Sequence, residues 1–174
     1  MARIMCTPRL WQRLAQVRRE SLAVTAGPMP GISLGPWAAK VFKDASRDFV
    51  LVLEQRTYLT LLLPLVPVAH FRPHLSRALS NALVDLGVPP AVARAEGAAI
   101  EFEPLARLQD SCLRERLDDV EFTCGIEFSY HRDLRIIQRN LNDFPHPGRD
   151  PCTPVEGIRR LFDCRRTGPV FVTQ

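Results

Sequence analysis

The sequence predicts a single α+β domain, in which a small, mainly antiparallel sheet is packed by several helices. This prediction rests on an apolar, β-prone stretch at residues 34–65, on helical periodicity in the chain that follows, and on chain length. With 174 residues, one domain is large enough to bury a core without metal or disulfide support. Apolar residues at 46% and charged residues at 24% are values typical of a folded domain.

Residues 34–65 are expected to form a β-hairpin followed by a third strand. The polar segment KDASRD (43–48) interrupts the stretch, and its Asp44 and Ser46 favour a turn. In Phe49–Leu53 the odd and the even positions are both apolar, which is typical of a strand that is covered on both faces. A covering layer must therefore come from elsewhere in the chain.

Two helices are expected to supply part of this cover. After a short strand at 4–6, Thr7-Pro8 predicts a helix start with threonine as the N-cap. Arg9, Arg13 and Arg18 are expected to form its solvated face, with a weak anion-binding face as the alternative. A second helix should end at the capping residue Gly87, with four leucines on its buried side: Leu75, Leu79, Leu83 and Leu86. We expect one shared core to contain Trp37, Val50, Val52, Leu79 and Leu83.

The second half of the chain is predicted to be largely helical. A short helix is expected after Pro90, and the alternation in residues 99–103 favours an edge strand. Leu105, Leu108, Cys112 and Leu117 indicate another helix, whereas residues 118–131 fit either a helix or a strand. A further helix should run from about Arg132 and end before Pro145.

We place the α+β domain at residues 1–148 and a basic C-terminal extension with a short helix at 149–174. Thr153-Pro154-Val155-Glu156 fits a capping box with proline in the first helical position. The extension carries four arginines, which we treat as a weak candidate surface for nucleic acid: Arg159, Arg160, Arg165 and Arg166.

Composition and cysteine usage favour a soluble, cytoplasmic protein that does not bind membranes. The five cysteines are odd in number, and the N-terminal residues lack the apolar core of a signal peptide. The longest apolar run, Tyr58–Ala69, is too short to span a bilayer and contains two prolines. The net charge of +4 permits contact with nucleic acid, but acidic and basic residues are interspersed along most of the chain.

Several stretches together resemble a family of uncharacterised bacterial proteins. They are Leu34-Gly35-Pro36-Trp37, the segment FVLVLEQRTYLTLLLP (49–64), the helix that ends in Leu86-Gly87, and RNLNDFP (139–145). In that family a Leu-Gly-x-Trp motif opens the first strand of a small sheet, and an Arg-Leu-Asn-like segment closes the last helix. The resemblance covers about residues 2–148. This chain departs from the family pattern at Ala38, where an aromatic residue is usual, and at Leu53-Glu54-Gln55, where the family has Thr-Asn-Glu. The resemblance implies a fold and a bacterial cytoplasmic origin, and it transfers no catalytic residue.

Three motifs that suggest catalysis or metal binding are rejected on context. Residues 31–35 spell G-x-S-x-G, but a nucleophile elbow needs a strand before it and a helix after it, and here a proline-rich loop precedes a strand. His70 and His74 have metal-ligand spacing, but Pro73 lies between them and no H-E-x-x-H glutamate is present. The cysteines form no C-x-x-C pair, so we expect buried, unreactive thiols, no metal and no cofactor.

Arg139 and His146, with six residues between them, resemble the R-x(4–6)-H motif of HEPN ribonucleases. In such a site arginine would stabilise charge on an RNA phosphate while histidine transfers a proton. HEPN domains are all-helical, whereas this chain is predicted to contain a sheet. We therefore favour a structural role, in which Arg139 lies at a helix C-terminus and His146 in the following connector.

No arrangement of acid, base, nucleophile or phosphate loop supports an enzyme. The first hypothesis is therefore a non-enzymatic regulatory or protein-interaction protein of the bacterial cytoplasm, which a mobile or defence-linked element could encode. The alternative is an RNA-directed nuclease or toxin-like enzyme that uses Arg139 and His146. A further alternative, a nucleic-acid-binding module, rests on charge.

Overall fold

The computed structural model describes residues 4–15, 33–45, 47–65, 67, 70–146, 148 and 150–163, and these form a five-stranded sheet with helices on both faces. The strands are β1 (Ile4–Cys6), β2 (Trp37–Asp44), β3 (Arg47–Glu54), β4 (Thr60–Pro64) and β5 (Leu105–Arg107). The helices are α1 (Pro8–Ala15), α2 (Phe71–Asp85), α3 (Pro90–Phe102), α4 (Ser111–Tyr130), α5 (Leu134–Asp143) and α6 (Pro154–Leu161). The α+β fold class is confirmed.

The hairpin and the third strand are where the sequence predicts them. β2 and β3 pair antiparallel from Trp37↔Glu54 to Asp44↔Arg47, as the predicted hairpin requires. Ala45 has a φ of 48°, in the left-handed region that tight hairpin turns require. Ser46, which was expected to favour the turn, lies outside the described residues. β4 then pairs antiparallel with β3.

The sheet order is β4-β3-β2-β1-β5, and β1 makes the sheet mixed. β1 pairs parallel with β2 on one side and with β5 on the other, so that Ile4 aligns with both Trp37 and Leu105. The strand at 4–6 was predicted, but its two parallel neighbours were not. This placement makes the N-terminal strand an interior strand of the sheet.

Strand β3 is covered on both faces, as its sequence predicts. Val50 and Val52 belong to one buried cluster, to which α1, α2, α3 and α6 contribute side chains. Phe49, Leu51 and Leu53 belong to a second buried cluster, completed by α4 and α5. The predicted core is confirmed, because the first cluster includes all five expected members: Trp37, Val50, Val52, Leu79 and Leu83.

Helices α1 and α2 follow the predicted periodicity. Leu10 and Leu14 are buried on α1, and Arg13 on its other side forms an ion pair with Asp48 at 2.9 Å. Arg18 lies outside the described residues. On α2 three of the four expected leucines are buried, whereas Leu86 forms the half-buried C-cap. Gly87 follows with a φ of +93°, a conformation that favours glycine at a helix end.

The edge strand predicted at residues 99–103 is wrong, because these residues continue α3 to Phe102. Its alternating pattern is too short to outweigh the helical spacing of buried Ala93, Gly97 and Ile100. The helix packs closely on α2, and a Cβ on Gly97 would lie 2.0 Å from Ser80 Oγ. The observed edge strand, β5, comes after Pro104.

The helix expected around residues 105–117 begins later than predicted. Leu105 lies in β5, and α4 starts at Ser111, after Asp110 caps it by accepting a hydrogen bond from the Leu113 amide at 3.0 Å. Residues 118–130, for which helix and strand were both open, extend α4 to Tyr130. Asp133 then caps α5, which ends before Pro145 as predicted.

Helix α6 is attached to the core although it lies beyond the predicted domain boundary at residue 148. The predicted Thr153–Glu156 capping box is present, and Ile158 is fully buried in the first cluster. Gly157 faces Thr57, whose Cβ would lie 3.1 Å from a Cβ at position 157. Among the described helices, none combines the length and the apolar character needed to cross a bilayer.

Candidate functional site

Two buried glutamates hold the Leu-Gly-x-Trp segment in front of β2. Glu96 on α3 accepts hydrogen bonds from the amides of Ser33 (2.7 Å) and Leu34 (3.4 Å). Glu54 at the end of β3 accepts a hydrogen bond from the amide of Gly35 at 2.9 Å. Since Ser33 is followed by a β-strand rather than by a helix, the G-x-S-x-G match does not form a nucleophile elbow.

Glu54 also closes the turn that leads to β4. Its second oxygen accepts hydrogen bonds from the amides of Arg56 and Thr57 and from the Thr57 hydroxyl, at 2.5–2.9 Å. The residue is fully buried, so both carboxylate oxygens are occupied by donors of the fold. Neither Glu54 nor Glu96 was singled out from the sequence. The arrangement supports a structural role, because no oxygen of Glu54 is left for a ligand.

Glu103, directly after α3, is buried in a different way. Its Oε2 atom has no hydrogen-bond partner among the described residues. Burial raises the pKa of Glu103 above its ordinary value, while the nearby Arg72 guanidinium opposes this shift. A carboxyl with a raised folded-state pKa stabilises the fold below its unfolded-state pKa, and this contribution is lost as pH rises through the folded-state pKa.

We therefore expect Glu103→Gln, which resembles the protonated carboxyl, to be more stable than wild type at pH 8. The difference should shrink as the pH falls toward about 4, near the ordinary glutamate pKa. Chemical denaturation at several pH values measures this difference, with Glu101→Gln near the end of α3 as the control. A difference that stays constant from pH 8 to pH 4 would contradict an ionised, buried Glu103.

The histidines and cysteines do not assemble a metal site in the described part of the chain. His70 is the N-cap of α2 and His74 lies in its first turn. No group of three His, Cys, Asp or Glu side chains within the described ranges is placed to hold a metal ion. The His70–His74 spacing therefore gives no site with enough ligands.

The expectation of buried thiols is correct for Cys6 and Cys124 and wrong for Cys112 and Cys152, which are exposed. Cys112 lies on the solvent side of the first turn of α4, and Cys152 lies in the connector before α6. Burial raises the pKa of Cys124 to about 12, and the hydrogen bond to Glu156 raises that of Cys152. A raised pKa favours the protonated form of each thiol, which is less nucleophilic than the thiolate. Cys164 lies outside the described residues.

Arg139 and His146 have different surroundings. Arg139 projects from α5 into a cleft of about 420 Å³ between the C-terminal end of α2, helix α5 and helix α6, which we call the α5 cleft. His146 does not line this cleft; its ring packs edge-on against Tyr58 at a centroid distance of 4.9 Å. The structure therefore does not bring the two side chains of the R-x(4–6)-H motif together in the cleft.

The predicted C-terminal basic surface is divided in the structure. Arg159 lines the α5 cleft, whereas Arg160 is exposed and forms an ion pair with Asp150 at 3.0 Å. Arg165 and Arg166 lie outside the described residues. Arg159 is thus grouped with Arg135 and Arg139 of α5, which the sequence alone could not indicate.

Helix α4 carries an exposed apolar ridge, which we define as Phe122, Ile126 and Tyr130. A spacing of four residues places these side chains on one helix face, opposite the face that packs on the sheet. Phe122 is 72% exposed, Ile126 43% and Tyr130 79%. Because all three side chains are this exposed, the ridge belongs to the protein surface and not to the core.

The α4 ridge stands on a firmly anchored helix. Lys40 of β2 forms ion pairs with both Asp118 and Glu121 of α4. Burial lowers the pKa of Lys40, but hydrogen bonds to the two carboxylates outweigh this effect and raise it overall. On the sheet-facing side of α4, Phe128 packs against Phe49 and Phe42, with ring-centroid distances of 5.1 and 5.5 Å. The exposed face is therefore presented on a rigid element.

Comparison with known proteins gives one family. A family described as Domain of unknown function (DUF6933) matches residues 3–156, which includes every described strand and the start of α6. No curated protein and no solved structure matches the chain. Because the match spans most of the sequence, from β1 through the Leu-Gly-x-Trp segment to α6, the chain belongs to the DUF6933 family.

Proposed function

We propose that this chain is a non-enzymatic, regulatory protein-interaction protein of the bacterial cytoplasm, and that it binds its partner through the α4 ridge. The observation that carries the proposal is the exposure of three large apolar side chains in one row on α4. Single exposed apolar residues are common on protein surfaces, but a contiguous row is typical of an interaction site. Phenylalanine and tyrosine are also enriched in protein interfaces.

The charge along α4 favours a basic partner. The face that carries the ridge continues toward the N-terminus of the helix with two exposed acidic residues, Glu115 and Asp119. The side chain of Asp119 is 71% exposed and forms an ion pair with Arg116 at 3.5 Å. A surface that is half acidic and half aromatic is complementary to an amphipathic helix with basic and apolar residues.

A second copy of this chain fits the surface poorly. Two α4 helices packed parallel would place the acidic halves against each other, and like charges repel. In an antiparallel pair, each acidic half would instead face the apolar ridge of the other copy, which would remove the carboxylates from water and supply no cation in return. We therefore infer a different protein as the occupant.

The RNA-directed nuclease has weaker support than the interaction protein. Its two proposed side chains, Arg139 and His146, do not share the α5 cleft. The nucleic-acid-binding alternative retains Arg159 in the cleft and Arg160 at the surface, but Arg160 is already paired with Asp150.

We expect a photo-crosslinking amino acid at position 122 to trap one defined protein in cells of the organism that encodes this chain. The same amino acid at position 92 is the control, because Val92 is exposed on α3, away from the ridge. The trapped protein, once purified, should bind the wild-type chain. Phe122→Ser together with Tyr130→Ser should weaken that binding at least about tenfold, since large aromatic side chains dominate interface energies.

The control pair for the binding measurement is Val84→Ser with Val92→Ser, two exposed apolar residues outside the ridge. Binding that falls equally in both double variants would contradict a specific role for the ridge. Crosslinking at position 122 that yields only a dimer of this chain would overturn the inference of a different partner.

A further inference from the structure

The α5 cleft contains an unusual concentration of arginine. Arg135 and Arg139 lie one turn apart on α5, and Arg159 reaches the cleft from α6. Among the described residues, none of these three guanidinium groups forms a hydrogen bond or an ion pair. Like charges one helical turn apart slightly destabilise a helix, so fold stability does not account for the arrangement.

Acidic and apolar groups complete the lining. Asp85 at the end of α2 and Asp143 at the end of α5 border the cleft, and neither carboxylate is within ion-pair distance of a described cation. Apolar side chains, including those of Leu86, Ile136 and Val155, cover part of the wall. The cleft therefore offers three cations, two hydrogen-bond acceptors and an apolar surface in one place.

We propose that the α5 cleft binds a nucleoside monophosphate. A phosphate monoester carries nearly two negative charges and three acceptor oxygens. It can therefore pair with three arginines, whereas a carboxylate has a single negative charge and two oxygens. The ribose hydroxyls supply donors for Asp85 and Asp143, and the base supplies a planar body for the apolar wall. A volume of about 420 Å³ falls in the range of small-molecule sites, about 300–1,000 Å³.

This site is distinct from the α4 ridge in position and in chemistry. The residues that line the cleft come from α2, α5, α6 and the turn before β4, and none comes from α4. The two proposals therefore fail or succeed independently.

Isothermal titration of the purified full chain with AMP, GMP, CMP and UMP tests the proposal, with inorganic phosphate and adenosine as the partial ligands. We expect at least one nucleotide to bind more tightly than phosphate, and adenosine to bind at least about tenfold more weakly than AMP if AMP is the nucleotide bound. The affinity should fall as salt is raised, because partly exposed charges are screened.

Arg139→Gln and Arg159→Gln should each weaken nucleotide binding roughly ten- to a hundredfold, the usual loss when a charge-assisted hydrogen bond is removed. Arg77→Gln is the matched control, since Arg77 is an exposed arginine on α2 that does not line the cleft. A thermal melt of each variant confirms that it is folded. Binding of none of the four nucleotides at millimolar concentration, equal binding of phosphate and nucleotide, or an equal loss in Arg77→Gln would each overturn the proposal.

Discussion

Replacing Glu54 by alanine is expected to lower the free energy of unfolding by about 3 kcal/mol or more. The carboxylate is fully buried and accepts hydrogen bonds from the amides of Gly35, Arg56 and Thr57. Alanine leaves these three part-buried amides without their acceptor, and about 1 kcal/mol for each, the lower end of the usual cost of an unsatisfied donor, gives this loss. Urea denaturation measures this loss as a lower urea concentration at the unfolding midpoint, with an unchanged slope of the unfolding free energy against urea concentration.

Two further variants separate this effect from a general loss of charge. Glu54→Gln keeps one acceptor oxygen and turns its amide group toward a donor, so its stability should lie between those of wild type and Glu54→Ala. Glu115→Ala removes a glutamate from the exposed face of α4 and should change stability by less than about 0.5 kcal/mol. A Glu54→Ala midpoint equal to that of Glu115→Ala would contradict the role of Glu54 in closing the turn.

The parts of the fold that were predicted correctly have strong local patterns. The hairpin follows from two apolar runs with a polar turn between them, and α2 follows from leucines at helical spacing. Phe49–Leu53 is apolar at every position. This pattern predicts that the strand is covered on both faces, although it does not show which segments cover it. Each of these predictions depends on residues within one short window.

The parts that were missed depend on contacts between distant residues. β1 pairs with β5 across about a hundred residues, and strands of three residues carry too little pattern to show their neighbours. The alternation at 99–103 is a local signal that the packing of Gly97 on Ser80 outweighs. Tertiary packing, and not propensity, decides these segments.

The candidate sites could not be predicted from the sequence, because they also depend on three-dimensional packing. Phe122, Ile126 and Phe128 are all apolar, and only the helical geometry of α4 separates the exposed pair from the buried Phe128. Arg139 and Arg159 are 20 positions apart, and only the packing of α6 on α5 brings them to one cleft. The burial of Glu54 had one local signal, since it ends the apolar run FVLVL.

We expect Leu83→Ala to lower the free energy of unfolding by about 2–5 kcal/mol. Leu83 is fully buried in the cluster that also contains Trp37 and Leu79, so alanine removes apolar contacts and leaves a cavity between α2 and the sheet. The surrounding side chains come from strands and helices that fix their positions, which limits how far they can collapse into the space.

The next residue on the same helix provides the control for this cavity. Val84 is 42% exposed, so Val84→Ala removes methyl groups at a similar sequence position without opening a buried space, and it should cost less than about 0.5 kcal/mol. A melting temperature of Leu83→Ala equal to that of Val84→Ala would place Leu83 outside the core. A large loss in Leu83→Ala alone would instead show that α2 stabilises the protein through the face that covers β3.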